Sequence, residues 1–212
     1  MNTAGFKFGL ALVVLTLLLS YAQAGDSVCN GNNVPSLSYR FIVSASGPSQ
    51  YKVEGKFNGT TFFKYTSEIS NGKPINPLGV MLSATEAWNQ LVEHWKDLVE
   101  ELRKALLNNR QNISKAFYPL FLQGHMVCQQ ESTGHFRAFW KLGFDGWMCL
   151  RFNSKNRHWK ELNGGCRSLK KTLGPDRDTT NLLVSISHGD SKKLFNEIGA
   201  LDTKEDAAPK LL

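Results

Sequence analysis

A single apolar stripe between Ser83 and Asn109 limits the possible folds more than any other feature. Apolar residues recur there at steps of three and four, the spacing of one helix face. They are Trp88, Leu91, Val92, Trp95, Leu98, Val99, Leu102, Ala105 and Leu106. Ser83 and Glu86 have the spacing of a capping box. At 1.5 Å per residue such a helix would be about 38 Å long, so its stripe needs a sheet of several strands as its partner.

Three stretches before this helix alternate apolar and polar residues, as half-buried strands do. They are LSYRFIVSAS, SQYKVEGKF and TTFFKYTSEI. Asn58-Gly59, between the last two, predicts a hairpin with a type I′ turn, because that turn needs positive φ at both positions. Asn71-Gly72, Pro74 and Pro77 are expected to end this group of strands.

A second group of strands follows Tyr118. PLFLQGHMVCQQE, HFRAFWKLGF and WMCLRF have strand patterns, and NRHWKEL could be a short fourth strand. Asp145-Gly146 predicts the turn of another hairpin. Trp140, Trp147 and Trp159 are expected to lie in this half of the sheet, under a helical cover.

The helical cover of the second half is expected to be broken. Gly174-Pro175 and Gly189 interrupt it, and Asp178 and Asp190 are placed to cap its later pieces. Two halves of this kind, side by side, predict an α+β fold in which two long helical segments cover one antiparallel sheet of about eight strands.

Residues 1–24 have the pattern of a secretory signal peptide. Lys7 precedes an apolar run from Leu10 to Leu19, and Ala22-Gln23-Ala24 fits the cleavage pattern; the run is short for a membrane span. In the secretory pathway, the sequons at Asn58 and Asn112 become acceptors for N-linked sugar. Four cysteines, Cys29, Cys128, Cys149 and Cys166, then predict two disulfides, and three connectivities are possible.

The formal net charge is +7, of which Lys7 lies in the predicted signal peptide, leaving +6. Basic and acidic residues are mixed along the chain, as in KDLVEELRK, so we expect a mildly basic solvated surface and no nucleic-acid partner. The C-terminal LDTKEDAAPKLL has neither a spanning helix nor a lipid-anchor tail. We therefore expect a secreted protein, attached to a membrane only if an anchor is missing from this sequence.

Enzyme and metal motifs lack their required context. Gly189-Asp190-Ser191 is followed by two lysines instead of glycines, and Ser168 and Lys171 have Ser-x-x-Lys spacing without its companion motifs. His125 and Cys128 have a metal-like interval, but no second pair has finger spacing. The sequence predicts no enzyme, no metal site and no cofactor.

Five stretches, in order from about Leu37 to Leu201, resemble the ULBP and retinoic-acid-early-transcript family. They are LSYRFIV, TEAWNQL, LFLQGHMVCQQESTGHFRAFWKLGFDG, RFNSKNRHWKEL and DRDTTNLLVSISHGDSKKLFNE. Members of this family are divergent relatives of MHC class I that keep only the platform of α1 and α2 domains. The resemblance implies an MHC class I-like α1–α2 platform over 25–203, with halves of about 25–115 and 116–203, and a polar tail at 204–212.

The resemblance also implies a function. Family members are ligands for the natural-killer group 2 member D receptor, a homodimer that sits diagonally across both platform helices, with no bound peptide; no β2-microglobulin is expected. We expect receptor contacts from outward-facing positions on the two helices: Gln90, Glu93, Asp97, Glu100 and Lys104, and Asp176, Arg177, Thr180, Lys192 and Lys193. Trp88 and Trp95 are expected in the core. The alternative is a class I-like carrier of a lipid or other apolar molecule between the helices.

The family pattern bears on the disulfides as well. Members pair the cysteine that matches Cys128 with a helix cysteine at the position of Ser191, so that bond cannot form here. The resemblance then leaves Cys149 with Cys166, and Cys29 with Cys128, as the expected pairs.

Overall fold

Eight antiparallel strands form one sheet in the computed structural model of the chain, which describes residues 35–45, 50–113, 120–130 and 136–206. The strands are β1 (Ser36–Ser44), β2 (Tyr51–Phe57), β3 (Thr60–Thr66), β4 (Ile69–Pro74), β5 (Phe121–Gln130), β6 (Phe136–Phe144), β7 (Trp147–Asn153) and β8 (His158–Glu161). Their order across the sheet is β4-β3-β2-β1-β5-β6-β7-β8. Together with the helices described below, this confirms the predicted α+β platform.

The two halves of the sheet meet where β1 pairs with β5. The pairing is antiparallel and continuous from Ser36 opposite Gln129 to Ser44 opposite Phe121. Within each half, every strand pairs with the next one along the chain. One sheet therefore spans both halves of the chain.

Both hairpin turns predicted from the sequence are confirmed. Asn58 and Gly59 have φ of 46° and 82°, and Asp145 and Gly146 have φ of 49° and 79°, as type I′ turns require.

The prediction that Asn71-Gly72 ends the first group of strands is wrong, because β4 runs through this pair. Gly72 has φ of 69°, and a Cβ there would lie 2.9 Å from side-chain atoms of both Phe63 and Val92. A glycine is needed for this close packing and for the left-handed backbone. Here it keeps a strand near a helix instead of ending the sheet.

The helical layer consists of α1 (Pro77–Leu82), α2 (Glu86–Asn109), α3 (Arg167–Leu173), α4 (Arg177–Val184) and α5 (Ser191–Asp206). Short 3₁₀ turns lie at Arg110–Asn112 and Gly164–Cys166, and a π-helical segment, Ser185–Asp190, joins α4 to α5. The sequence did not predict α1. Thr85, rather than Ser83, caps α2, accepting a hydrogen bond from the backbone N–H of Trp88 at 3.3 Å.

Aromatic side chains fill the space between helices and sheet. The Trp95 ring lies 5.4 Å from that of Tyr39, 5.8 Å from Phe41 and 5.8 Å from Trp140, so it contacts both halves. Trp88 packs 5.1 Å from Phe63. Both helix tryptophans are core residues, as predicted. Trp140 and Trp159 are buried too, whereas Trp147 begins β7 with 60% of its surface exposed, so the helical cover does not extend over it.

Candidate docking surface on the two helices

The five positions selected on α2 share its outer side. Glu93, Asp97 and Lys104 are exposed, and Gln90 and Glu100 are half-buried. Their spacing of three and four residues aligns them on one stripe, opposite the stripe that packs on the sheet. This exposed stripe of α2 is called the first ridge below.

The five positions selected on the second half lie on α4, on α5 and at the residue before α4. Arg177, Lys192 and Lys193 are exposed, and Thr180 is half-buried. Asp176 has a structural role, because its carboxylate accepts hydrogen bonds from the backbone N–H groups of Asp178 and Thr179 at 3.0 and 3.3 Å. Asp176 is therefore the N-cap of α4, and the prediction that Asp178 caps this helix is wrong. The exposed side of α4 and α5 is called the second ridge.

Direct side-chain contacts join the N-terminal half of α2 to the π-helical segment and to α5. His94 Nδ1 lies 2.8 Å from Asp190 Oδ2, and Lys193 Nζ donates to Gln90 Oε1. Asp190 belongs to the π-helical segment and is only 1% exposed. It therefore bonds across the helices. The sequence-based prediction that Asp190 caps α5 is wrong.

A second set of contacts joins the C-terminal end of α2 to α3. Asn109 Nδ2 donates to Thr172 Oγ1 at 2.7 Å, and Ser168 Oγ donates to Asn109 Oδ1 at 2.5 Å. Asn109 is buried, and its partners Ser168 and Thr172 are half-buried. With contacts at two places along their length, the helices lie against each other.

The electrostatics of these contacts follow from burial and charge. Burial raises the pKa of Asp190, while the hydrogen bond and charge of His94 and the charge of Lys193 lower it in part. On the ridge, Lys104 Nζ lies 2.7 Å from Glu101 Oε1. That hydrogen bond and charge, with smaller effects from Glu100 and Asp176, raise the pKa of Lys104. The helices are thus joined through the charges of Asp190 and its neighbours as well as by contact.

Sequence reasoning missed His94, Asp190 and Asn109 as members of this site. The spacing of His94 and Asn109 in α2 shows only that they flank the apolar stripe. Their partners lie 96 and 59–63 residues away, and no local pattern indicates that distance.

Three human proteins match most of this chain. UL16-binding protein 1 is 31% identical over 195 residues, 90% of this chain and 77% of that protein. UL-16 binding protein 5 is 33% identical over 186 residues, 86% of this chain and 54% of that protein. Retinoic acid early transcript 1E is 28% identical over 188 residues, 89% of this chain and 69% of that protein.

The chain belongs to the ULBP and retinoic-acid-early-transcript family. It spans about half the length of UL-16 binding protein 5 and about three quarters of UL16-binding protein 1. No family model matches the chain. The family resemblance of the five stretches is confirmed by 28–33% identity over 86–90% of the chain.

The chain departs from the expected family pattern at one buried contact. Ser191 stands where the family resemblance implies a helix cysteine, and a hydrogen bond from its hydroxyl lowers the pKa of the Cys128 thiol in part. Cys128 is a free, buried thiol among the described residues. Cys29, its expected partner, lies outside them, so that pairing stays a prediction. Cys128 sits on the core face of β5, below α5. Cys149 and Cys166 form a disulfide, with Cα atoms 5.7 Å apart.

The two predicted glycosylation positions differ in what the structure describes. Asn58 is exposed in its hairpin turn, where Oδ1 accepts a hydrogen bond from the Ser36 backbone N–H at 2.8 Å. The amide nitrogen that would carry sugar is not used in that bond. Asn112 ends a 3₁₀ turn, but its side chain lies outside the described part. The predicted signal peptide, 1–24, and the end of the polar tail, 207–212, lie outside it too.

Three further features of the described part of the chain bear on metal, membrane and small-molecule binding. No three His, Cys, Asp or Glu side chains there come together as a metal site would require. None of its helices is both long and apolar enough to cross a membrane. A cleft of about 200 Å³ lies at one end of the sheet, beside Trp147, Asn163 and Gly164, and not between the helices.

Proposed function

We propose that the chain is an extracellular glycoprotein ligand for the activating natural-killer group 2 member D receptor. The two ridges are the docking surface, and they need no bound peptide to form it. The observation that carries this proposal is the direct bonding of the helices through His94, Asp190 and Asn109. Because the helices lie against each other, their outer sides make one continuous surface instead of the two walls of a groove.

Family membership and the chemistry of the ridges support the same proposal. The first ridge has the acids Glu93 and Asp97, and the second has the bases Arg177, Lys192 and Lys193, all exposed. Complementary charges of this kind raise association rates and set the orientation of a protein partner. The disulfide and the exposed sequon at Asn58 favour an extracellular protein.

The receptor's ectodomain dimer, immobilised on a sensor surface, provides the test. We expect the purified mature chain to bind it, and Glu93→Gln/Asp97→Asn to weaken binding at least about tenfold, as loss of paired interface charges does. Glu68→Gln/Asp145→Asn removes the same charge from two exposed turns and should change binding less than about twofold. Failure of the folded wild-type chain to bind at micromolar concentration would contradict the proposal. Two relatives are named for binding UL16, so UL16 is included as a second immobilised partner.

The alternative role of lipid carrier would require the helices to separate. The bonds of Asn109, and those of His94 with Asp190, oppose that separation. Native mass spectrometry of protein from a eukaryotic host distinguishes the two roles, because a carrier would retain an apolar molecule of defined mass. We propose no catalytic role.

A further inference from the structure

The face of the sheet that points away from the helices carries the strands' basic residues. The eight strands contain nine lysines and arginines but only two acids, Glu54 and Glu161. On β1, Leu37, Tyr39, Phe41 and Val43 are buried towards the helices, and Arg40 is exposed between two of them. Register places the other eight basic residues on the same outer side, because residues directly opposite each other share a face of an antiparallel sheet.

One row of opposing residues crosses all eight strands of this outer face. Its six lysines and arginines are Lys73, Lys64, Arg40, Lys141, Arg151 and Lys160. Glu54 and His125 occupy the two remaining positions. At about 4.8 Å between strands, the row is about 34 Å long. We call it the basic row.

The basic row has an electrostatic cost that an anion would relieve. Lys64 faces Lys73, and Lys141, Arg151 and Lys160 face one another in succession, and like charges directly opposite destabilise a sheet. Glu54 offsets part of this cost, at 3.1 Å from Lys52 and 3.7 Å from Lys64. Burial would raise the pKa of Glu54, but the hydrogen bond and charge of Lys52, with Lys64 and Lys56, leave it lowered.

The β6–β8 end of the row is held in place by an aromatic ring. The Arg151 guanidinium lies 4.9 Å from the centre of the Phe139 ring, and Lys141 Nζ lies 6.0 Å from it. Cations at such distances are attracted to the ring face. Three successive strands therefore present ordered positive charges, and none of the three residues facing one another there is acidic.

We propose that the basic row binds a linear sulfated polysaccharide, lying across the strands. The row is about 34 Å long and rich in lysine, whose ammonium group is a compact partner for single anionic groups. Lysine is depleted at protein–protein interfaces, which argues against a protein partner. The negative surface potential of membranes belongs to the cytoplasmic leaflet, whereas the Cys149–Cys166 disulfide favours an oxidising compartment. The helix face is less suited because its charges are mixed: α2 carries five acids against three bases, and the exposed bases Arg177, Lys192 and Lys193 lie on the second ridge.

A titration of the mature chain with a heparin dodecasaccharide, at 50 to 300 mM NaCl, tests the proposal. We expect binding that weakens as salt rises, because bound cations release counterions from the polyanion. Lys141→Gln/Arg151→Gln/Lys160→Gln should lower affinity at least about tenfold at 150 mM NaCl, and should reduce the slope of log affinity against log salt by about two. Receptor binding by this variant should not change, which separates this proposal from the proposed function.

A matched variant controls for net charge. Lys96→Gln/Arg167→Gln/Lys171→Gln removes three exposed charges from the helical layer and should change heparin affinity less than about twofold. Equal loss in both variants would show that total charge alone attracts heparin, and would overturn the proposal. So would undiminished binding by the basic-row variant, equal binding of desulfated heparin, or binding to phosphatidylserine vesicles without binding to heparin. Near-UV circular dichroism confirms that each variant is folded.

Discussion

Ser191 is a buried serine at the position where the family resemblance implies a disulfide partner for Cys128. It is fully buried, donates a hydrogen bond to the Ile186 carbonyl at 2.8 Å, and contacts the Cys128 thiol. Burial raises the pKa of Cys128 to about 12, and the Ser191 contact lowers it only in part. The thiol therefore stays protonated and unreactive at physiological pH. A single residue thus decides whether β5 and α5 are joined covalently.

Ser191→Cys should restore a covalent link between β5 and α5. The new sulfur would take the place of a hydroxyl already in contact with Cys128, so little movement is needed. A bond closing a loop of this length contributes about 2–4 kcal/mol to the free energy of unfolding. Peptide mass mapping under non-reducing conditions should find the bond, and thermal unfolding should show the gain, which reducing agent should remove.

Ser187→Cys is the matched control for this substitution. Ser187 is equally buried, but its hydroxyl donates to Ser154 Oγ and to the Leu183 carbonyl, at 2.8 and 2.5 Å. A cysteine there should leave Cys128 unlinked to it. If neither variant forms the bond, the contact between Ser191 and Cys128 does not exist in solution.

Helix ends are the elements that the sequence predicted least well. Asp176 and Asp178 both satisfy the residue preference for an N-cap, and only the bonds to Asp178 and Thr179 show that Asp176 is used. Asp190 follows a glycine and resembles a helix start. The backbone instead passes through a π-helical turn, which accommodates an extra residue without ending the helix. That turn directs the Asp190 carboxylate towards His94.

His94→Ala should destabilise the pairing of the helices in a pH-dependent way. The substitution leaves the buried Asp190 carboxylate without its hydrogen-bond partner. We expect the free energy of unfolding to fall by about 2 kcal/mol at pH 7. This loss is below the usual range for a buried pair because His94 is 33% exposed. The pKa of Asp190 is raised above its ordinary value of 3.8. A group whose pKa is raised on folding contributes fully to the free energy of unfolding at pH values below its ordinary pKa. That contribution is lost as the pH rises through its pKa in the folded protein.

The loss in His94→Ala should therefore be larger at pH 7 than at pH 4.5, where Asp190 is closer to protonation. Urea unfolding at both values measures the difference. His158→Ala, on the exposed side of β8, should change the free energy of unfolding by less than about 0.5 kcal/mol at either pH. A deficit that is constant with pH would mean that the Asp190 carboxylate is not the group left unpaired.

At the scale of the whole molecule, local sequence patterns predicted the individual strands and helices, whereas the pairing of strands produced the basic surface of the sheet. The alternation around Tyr39, the stripe through Trp95 and the turns at Asn58-Gly59 and Asp145-Gly146 are all local, and each predicted its element correctly. The exposed ridge positions follow from the same helical period. The basic row does not follow from any local period, because it takes one residue from each strand. The charges are scattered along the sequence, and the strand register places them side by side.

Because β1 pairs with β5 along its whole length, we expect the two halves to unfold as one unit, and a substitution at Gly124 tests this. Gly124 lies opposite Phe41, and a Cβ there would be 2.4 Å from the Phe41 ring and 2.9 Å from the Lys141 carbonyl oxygen. Gly124→Ala should displace Phe41, which contacts Trp95 from one half and Trp140 from the other. Overpacking of this kind costs about 1–3 kcal/mol.

Scanning calorimetry should show one transition in both proteins, with Tm lowered by about 2–10 °C in Gly124→Ala and with equal calorimetric and van't Hoff enthalpies. Gly199→Ala adds the same methyl group to α5, where nothing lies within 4 Å. It should raise the free energy of unfolding by about 0.5–1 kcal/mol, because alanine favours a helix over glycine. Two separate transitions, only one of them shifted by Gly124→Ala, would contradict a single cooperative platform, because strain where the halves meet must reach both if they fold together.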